Sequence, residues 1–262
     1  MGLHESKLDS AGGVGKGKED KIRQCALEAS RTGGQEAIKE FHNLMLLGAD
    51  PNACVDENPS WAAKGDPLLQ FVLRQVEADP STTSELVKVL IKCGASPSQP
   101  GKMGETPLCV ATSGGHDAVV SILLEAGADK DKADNLRCNP LHHATSAWRP
   151  RCRVVSMLVA AGARKHEPNI FGTTPLLIAA GRGQGAVVSI LLEAGAEKEK
   201  ANLEANNMGE TPLFVAAEGG HDAVVSILLA AGADKHKTTD NGFTPLGIAR
   251  EQGHEKVVAL LQ

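Results

Sequence analysis

Gly12-Gly13-Val14-Gly15-Lys16-Gly17-Lys18 fills the first seven positions of a phosphate-cradling loop, in which backbone N–H groups and a lysine hold the phosphates of a nucleotide. The eighth position needs a Ser or Thr hydroxyl for Mg²⁺ but holds Glu19, and no apolar strand leads into the glycines. The stretch reads as a flexible Gly/Lys linker, with a nucleotide-binding protein or enzyme kept as one alternative. Met1-Gly2-Leu3-His4-Glu5-Ser6 fits the pattern for N-myristoylation at Gly2. With only Lys7, Lys16 and Lys18 nearby, one acyl chain would give marginal, reversible attachment, so a membrane-peripheral scaffold is a second alternative.

Histidine is the other candidate for chemistry. His116, His221 and His254 each follow a glycine at one recurring position, and His142 occupies another. A metal needs ligands that converge on one point, whereas residues spread evenly along an array stay apart, so these histidines read as scaffold hydrogen-bonders. No Ser/His/Asp or Cys/His set has a defined local motif, and no carboxylates stand out as a pair. The expectation is no catalytic residue, no cofactor and no metal. The six cysteines (25, 54, 93, 109, 138, 152) form no C-x-x-C pair, and several sit within apolar helical patterns as small hydrophobes. They point to a reducing compartment, the cytoplasm or the nucleus.

A net charge of −5 and a pI near 6.0 give no general attraction to nucleic acid or to an anionic bilayer. The mixed-sign stretches Asp129 to Lys132, Glu197 to Lys200 and Asp234 to Lys237 read as solvated turn tips. The longest apolar run, near Val154 to Gly162, is too short for a bilayer, which needs about 20 residues. No apolar leader follows a basic start, so a soluble chain is expected.

The elements that would position these residues repeat. Thr106-Pro107-Leu108, Asn139-Pro140-Leu141, Thr174-Pro175-Leu176, Thr211-Pro212-Leu213 and Thr244-Pro245-Leu246 recur at spacings of 33, 35, 37 and 33. Thr or Asn is a good N-cap, and Pro fits N1, where its missing N–H has no intrahelical partner. A short first helix should therefore run from Leu108 to Thr112 and end at Gly114-Gly115. A second opens near His116-Asp117 and carries Val119, Val120, Ile122, Leu123 and Leu124, and Gly127 closes it.

These residues, and Asn139-Pro140-Leu141-His142-His143-Ala144 in particular, resemble the ankyrin repeat. The resemblance implies an all-α ankyrin-repeat solenoid of stacked helix-turn-helix units with β-hairpin fingers along one edge. Repeats are expected at about 20–52, 53–98, 99–131, 132–166, 167–199, 200–236 and 237–262, the first two degenerate and the last truncated, behind a disordered tail at 1–19. It also implies a non-catalytic protein-protein interaction module, an adaptor, scaffold or inhibitor. Such a module would be monomeric alone and would bind a protein partner in a concave groove of first helices and fingers.

Three features mark where that partner would sit. Residues 103 to 130 and 208 to 235 differ only at Cys109/Phe214, Thr112/Ala217, Ser113/Glu218 and Glu125/Ala230, and three of these fall on the first helix. Phe214 and Glu218 are therefore candidate contacts. An insertion between the helices of the fourth unit holds Trp148 beside Arg149, Arg151 and Arg153, a plausible anchor or simply a longer loop. The interval from Gly195 to Thr211 is four longer than its counterparts, and the surplus, Asn202-Leu203-Glu204-Ala205, lengthens one finger. Phe171 and Arg182 complete the candidate set.

Overall fold

The computed structural model describes residues 21–29, 35–55, 66–74, 80–199 and 209–262, divided between two compact units, Met1–Lys102 and Met103–Gln262. In the first unit, helix α1 covers 21–29, and α2 (Gln35–Leu46), α3 (Leu68–Leu73) and α4 (Pro80–Lys92) follow. Its core gathers Ile22, Ala26, Ile38, Phe41, Leu69, Phe71, Leu86 and Leu90. A two-residue antiparallel ladder, β1 (Cys54–Val55) with β2 (Asp66–Pro67), leads into α3, with Cys54 opposite Pro67. The buried Asp66 carboxylate meets the Arg74 guanidinium at 3.2 Å.

The second unit stacks five helix pairs among its described residues: α5 (Pro107–Gly114) with α6 (Asp117–Glu125), α7 (Pro140–Ser146) with α8 (Cys152–Ala160), α9 (Pro175–Gly181) with α10 (Gly185–Glu193), α11 (Pro212–Glu218) with α12 (Asp222–Ala230), and α13 (Pro245–Glu251) with α14 (Glu255–Leu261). Each first helix starts as its residues dictate. The side chains of Thr106, Asn139, Thr174, Thr211 and Thr244 accept hydrogen bonds from the backbone N–H of Cys109, His142, Leu177, Phe214 and Gly247, with Pro next to every cap. A good cap contributes about 1 kcal/mol, five times over in this unit.

Neighbouring first helices pack through fully buried alanines, Ala111, Ala144, Ala179, Ala216 and Ala249, which let the backbones approach closely. The second helices α6, α8, α10 and α12 each bury a Val pair and a Leu, as at Val119, Val120 and Leu123, and Val224, Val225 and Leu228, whereas α14 buries Val257 and Leu261. Gly127 follows at φ +79°, where its N–H bonds Leu124 O and the next N–H, of Ala128, bonds Leu123 O, so the helix's last carbonyls are satisfied.

Three of the fingers between pairs are five-residue turns: Asp134 N–H donates to Cys138 O (3.0 Å), Asn169 N–H to Thr173 O (3.1 Å) and Thr239 N–H to Phe243 O (2.9 Å). In two of them the opening side chain also gathers two amides. Asp134 Oδ1 accepts from Leu136 and Cys138, and Asn169 Oδ1 from Phe171 and Thr173. No strand ladder forms in these turns among the described residues. They lie side by side through Asn135 N–H to Met103 O (3.3 Å) and Ile170 N–H to Leu136 O (3.0 Å).

Candidate partner-binding surface

Two of the histidines that recur ahead of second helices, His221 and His254, are repeat-to-repeat staples. His221 Nε2 donates to Gly181 O (3.0 Å) and His254 Nε2 to Glu218 O (2.8 Å), each reaching the end of the preceding pair's first helix. Gln184 occupies the same position before α10 and reaches Ala147 O (2.6 Å), and Arg151 before α8 reaches Ser113 O (3.4 Å). The glycine at the end of each preceding first helix makes room: Gly115, Gly183 and Gly220 hold φ of +72°, +66° and +68°, and a Cβ there would strike Arg151, His221 and His254.

This placement gives Arg151 a role within the stack. It is half-buried at the α8 N-cap, and its Nη2 donates to the neighbouring repeat. The insertion beside it is real, because the α7–α8 turn spans 147–151 where its counterparts span 182–184 and 219–221. At its tip Trp148 is 77% exposed, with the Arg149 guanidinium 4.8 Å from the ring centroid.

One correction concerns Phe214. At 5% exposure it lies in the core beneath α11, and the two residues that differ at Thr112/Ala217 are fully buried. Of the three differences on the first helix, only Ser113/Glu218 reaches solvent. Arg182, at the α9 C-cap and one residue past the counterpart of Glu218, is exposed, and Phe171 is 56% exposed on its finger. Asn202, Leu203 and Glu204 of the lengthened finger, Gly2 and the Gly/Lys segment at 12–18 lie outside the described residues.

What sequence reading missed is an apolar row on the fingers. Met103, Leu136 and Phe171 each lie three residues ahead of a cap, and all three are exposed, as is Ile170. Phe243, one residue ahead of Thr244, adds to them farther along. Aligning the chain on its caps rather than on its Gly-Ala pairs brings that row into view.

Titration is tuned beside this surface. His142, at the first-turn position held by Cys109 and Phe214 in other repeats, is fully buried, with Nδ1 2.7 Å from Asn139 Oδ1 and Nε2 3.1 Å from Thr173 O. Burial pushes it down to about 4 despite the favourable Thr173 carbonyl, so it is neutral at physiological pH. Burial pushes the Cys109 thiol up to about 11. Glu210 is raised by burial and then by the Glu218 carboxylate.

Stacked helix pairs capped by Thr-Pro, closed by glycine and joined by turn fingers define an all-α repeat solenoid. A family model described as ankyrin repeats (3 copies) matches residues 75–169, 146–239 and 204–262, and the chain belongs to the ankyrin-repeat family. It is 30% identical over 114 residues to ankyrin repeat domain-containing protein 63 of Homo sapiens, across 41% of this chain and 29% of that protein. It is likewise 30% identical over 114 residues to the protein of the same name from Mus musculus, across 41% of this chain and 28% of that one. The match spans less than a third of the length of these curated relatives. Ankyrin repeats mark a protein-protein interaction module, and among the described residues no helix is long and apolar enough to cross a membrane.

Proposed function

We propose that the chain is a non-catalytic adaptor, scaffold or inhibitor that holds a protein partner against the fingers and first-helix ends of its second unit. The reading is supported by the apolar row of Met103, Leu136 and Phe171, which three successive fingers lift into solvent at equivalent positions. Burying such side chains on a partner is the main source of affinity in protein interfaces. Trp148 with Arg149 flanks the row from the helix-turn side, and Arg182 and Glu218 supply opposite charges that fix orientation more than they add affinity. The protein works as a monomer in the cytoplasm or nucleus, and the finger carrying Asn202, Leu203 and Glu204 extends the contact.

Site-specific photocrosslinking tests this placement. A photoreactive residue at Leu136 captures the partner, whereas one at the exposed Ser156 of α8 does not. Capture from position 156 with none from 136 would move the surface to the second helices and end the proposal.

A further inference from the structure

The recurrent histidines stay apart, but another set converges. Glu105 sits just ahead of the Thr106 cap, Asp134 opens the next finger, and His143 lies in the last turn of α7. Each offers one ligand atom, and these atoms lie within 4.8 Å of one another. Asp134 Oδ2 and His143 Nε2 are 3.0 Å apart, near the edge of roughly 3.3 Å expected of a tetrahedron whose bonds to imidazole nitrogen and carboxylate oxygen are about 2.0–2.2 Å.

Asp134 is oriented before any ligand arrives. Its Oδ1 accepts from the Leu136 and Cys138 amides, both at 2.8 Å, which turns Oδ2 toward the imidazole. All three side chains are half-buried, a setting where water competes less than on an open surface. The two carboxylates focus negative charge on this spot. After burial and the opposing Thr106 hydrogen bonds, they are what raises the neighbouring Cys109 thiol.

We propose that Glu105, Asp134 and His143 form a site for a divalent transition ion, of which zinc is the best match, clamping adjacent repeats together. The donor set argues for the ion. Mg²⁺ and Ca²⁺ take oxygen ligands, in larger number, whereas one imidazole with two carboxylates suits Zn²⁺, whose charge the pair neutralises. Coordination uses the neutral imidazole in its Nδ1–H tautomer, so the Nε2 hydrogen bond to Asp134 gives way to the ion. Three protein ligands leave a fourth position for water or for a donor from a bound partner. A clamp there would tie the finger that carries Asp134 to the preceding repeat through Glu105, beside Met103 and Leu136 of the apolar row.

The test uses the full chain, because free thiols, the exposed Cys54 among them, will also take up zinc and a bulk titration alone cannot localise it. Nitrogen-detected NMR of the histidine rings during zinc addition should shift His143 Nε2, and the melting temperature should rise with zinc but not with the same concentration of Mg²⁺. His143→Gln and Glu105→Gln should each weaken zinc affinity at this site at least about tenfold, since even the outer partners of metal ligands are worth that much. Asp134 is spared because it also builds its finger. A His143 ring signal unmoved at saturating zinc, or wild-type affinity in Glu105→Gln, would overturn the site.

Discussion

Two repeats of this protein are nearly the same sequence, and half of what separates them lies inside. Residues 103–130 and 208–235 differ at four positions, of which Cys109/Phe214 and Thr112/Ala217 are buried. Where α5 places a small thiol at the first and a Thr at the second, with the Thr112 hydroxyl bonded to Cys109 O at 2.9 Å, α11 places a large ring beside a small Ala. The smaller Ala offsets only part of the larger ring, yet both repeats keep the same caps and the same Val-Val-Leu face. Sequence divergence between sister repeats is thus not by itself a map of the binding face. Here half of it is the record of a core being filled in two ways.

The sharpest way to break this comparison is to cut the ring out of α11. Phe214→Ala should cost about 3–5 kcal/mol in urea unfolding, as loss of a buried Phe does, with any loss of partner affinity following from unfolding alone. Lost affinity with stability unchanged would return Phe214 to the binding surface.

The same register position in α7 supplies the next largest effect. The His142 imidazole titrates near 6.5 when unfolded and at about 4 when folded, so the unfolded chain takes up the proton first. The stability that depends on its neutral form is complete above pH 6.5 and is lost as pH falls toward 4, by about 3 kcal/mol at most. Replacing it with the residue of α9, His142→Leu, should flatten that part of the pH profile, and an unaltered profile would assign the acid sensitivity elsewhere.

Arg151→Ala removes the staple to Ser113 O and should cost about 1 kcal/mol, measured by the same unfolding, while leaving partner affinity intact. The smallest effect has the opposite sign. Arg137 is the one non-glycine residue at positive φ among the described residues, +57°, where the fingers at 172, 209 and 242 use Gly, so Arg137→Gly should raise stability by about 1 kcal/mol.

How much of this was legible follows from the range of each signal. Thr-Pro at a cap and Gly just past a helix act within one turn, so the helices of the second unit could be placed from residues alone. The staple role of Arg151 was not legible because the insertion around it hid its register. Counting three residues back from Val154, as from Val224 to His221, would have placed it at the staple. Phe214 was misread because a first-helix residue points to the groove or to the next layer depending on the packing of the neighbouring repeat, which no local pattern encodes. The convergence of Glu105, Asp134 and His143 spans two fingers and a helix, and only their stacked register brings it about.

The partner surface itself is tested most directly by charging the finger row. Met103→Asp, Leu136→Asp and Phe171→Asp combined, on side chains that already face water, should leave the melting temperature close to that of the parent. The affinity for the crosslinked partner should fall at least about thirtyfold, the loss of a single interface hot spot. Full affinity in a folded triple variant would contradict the account.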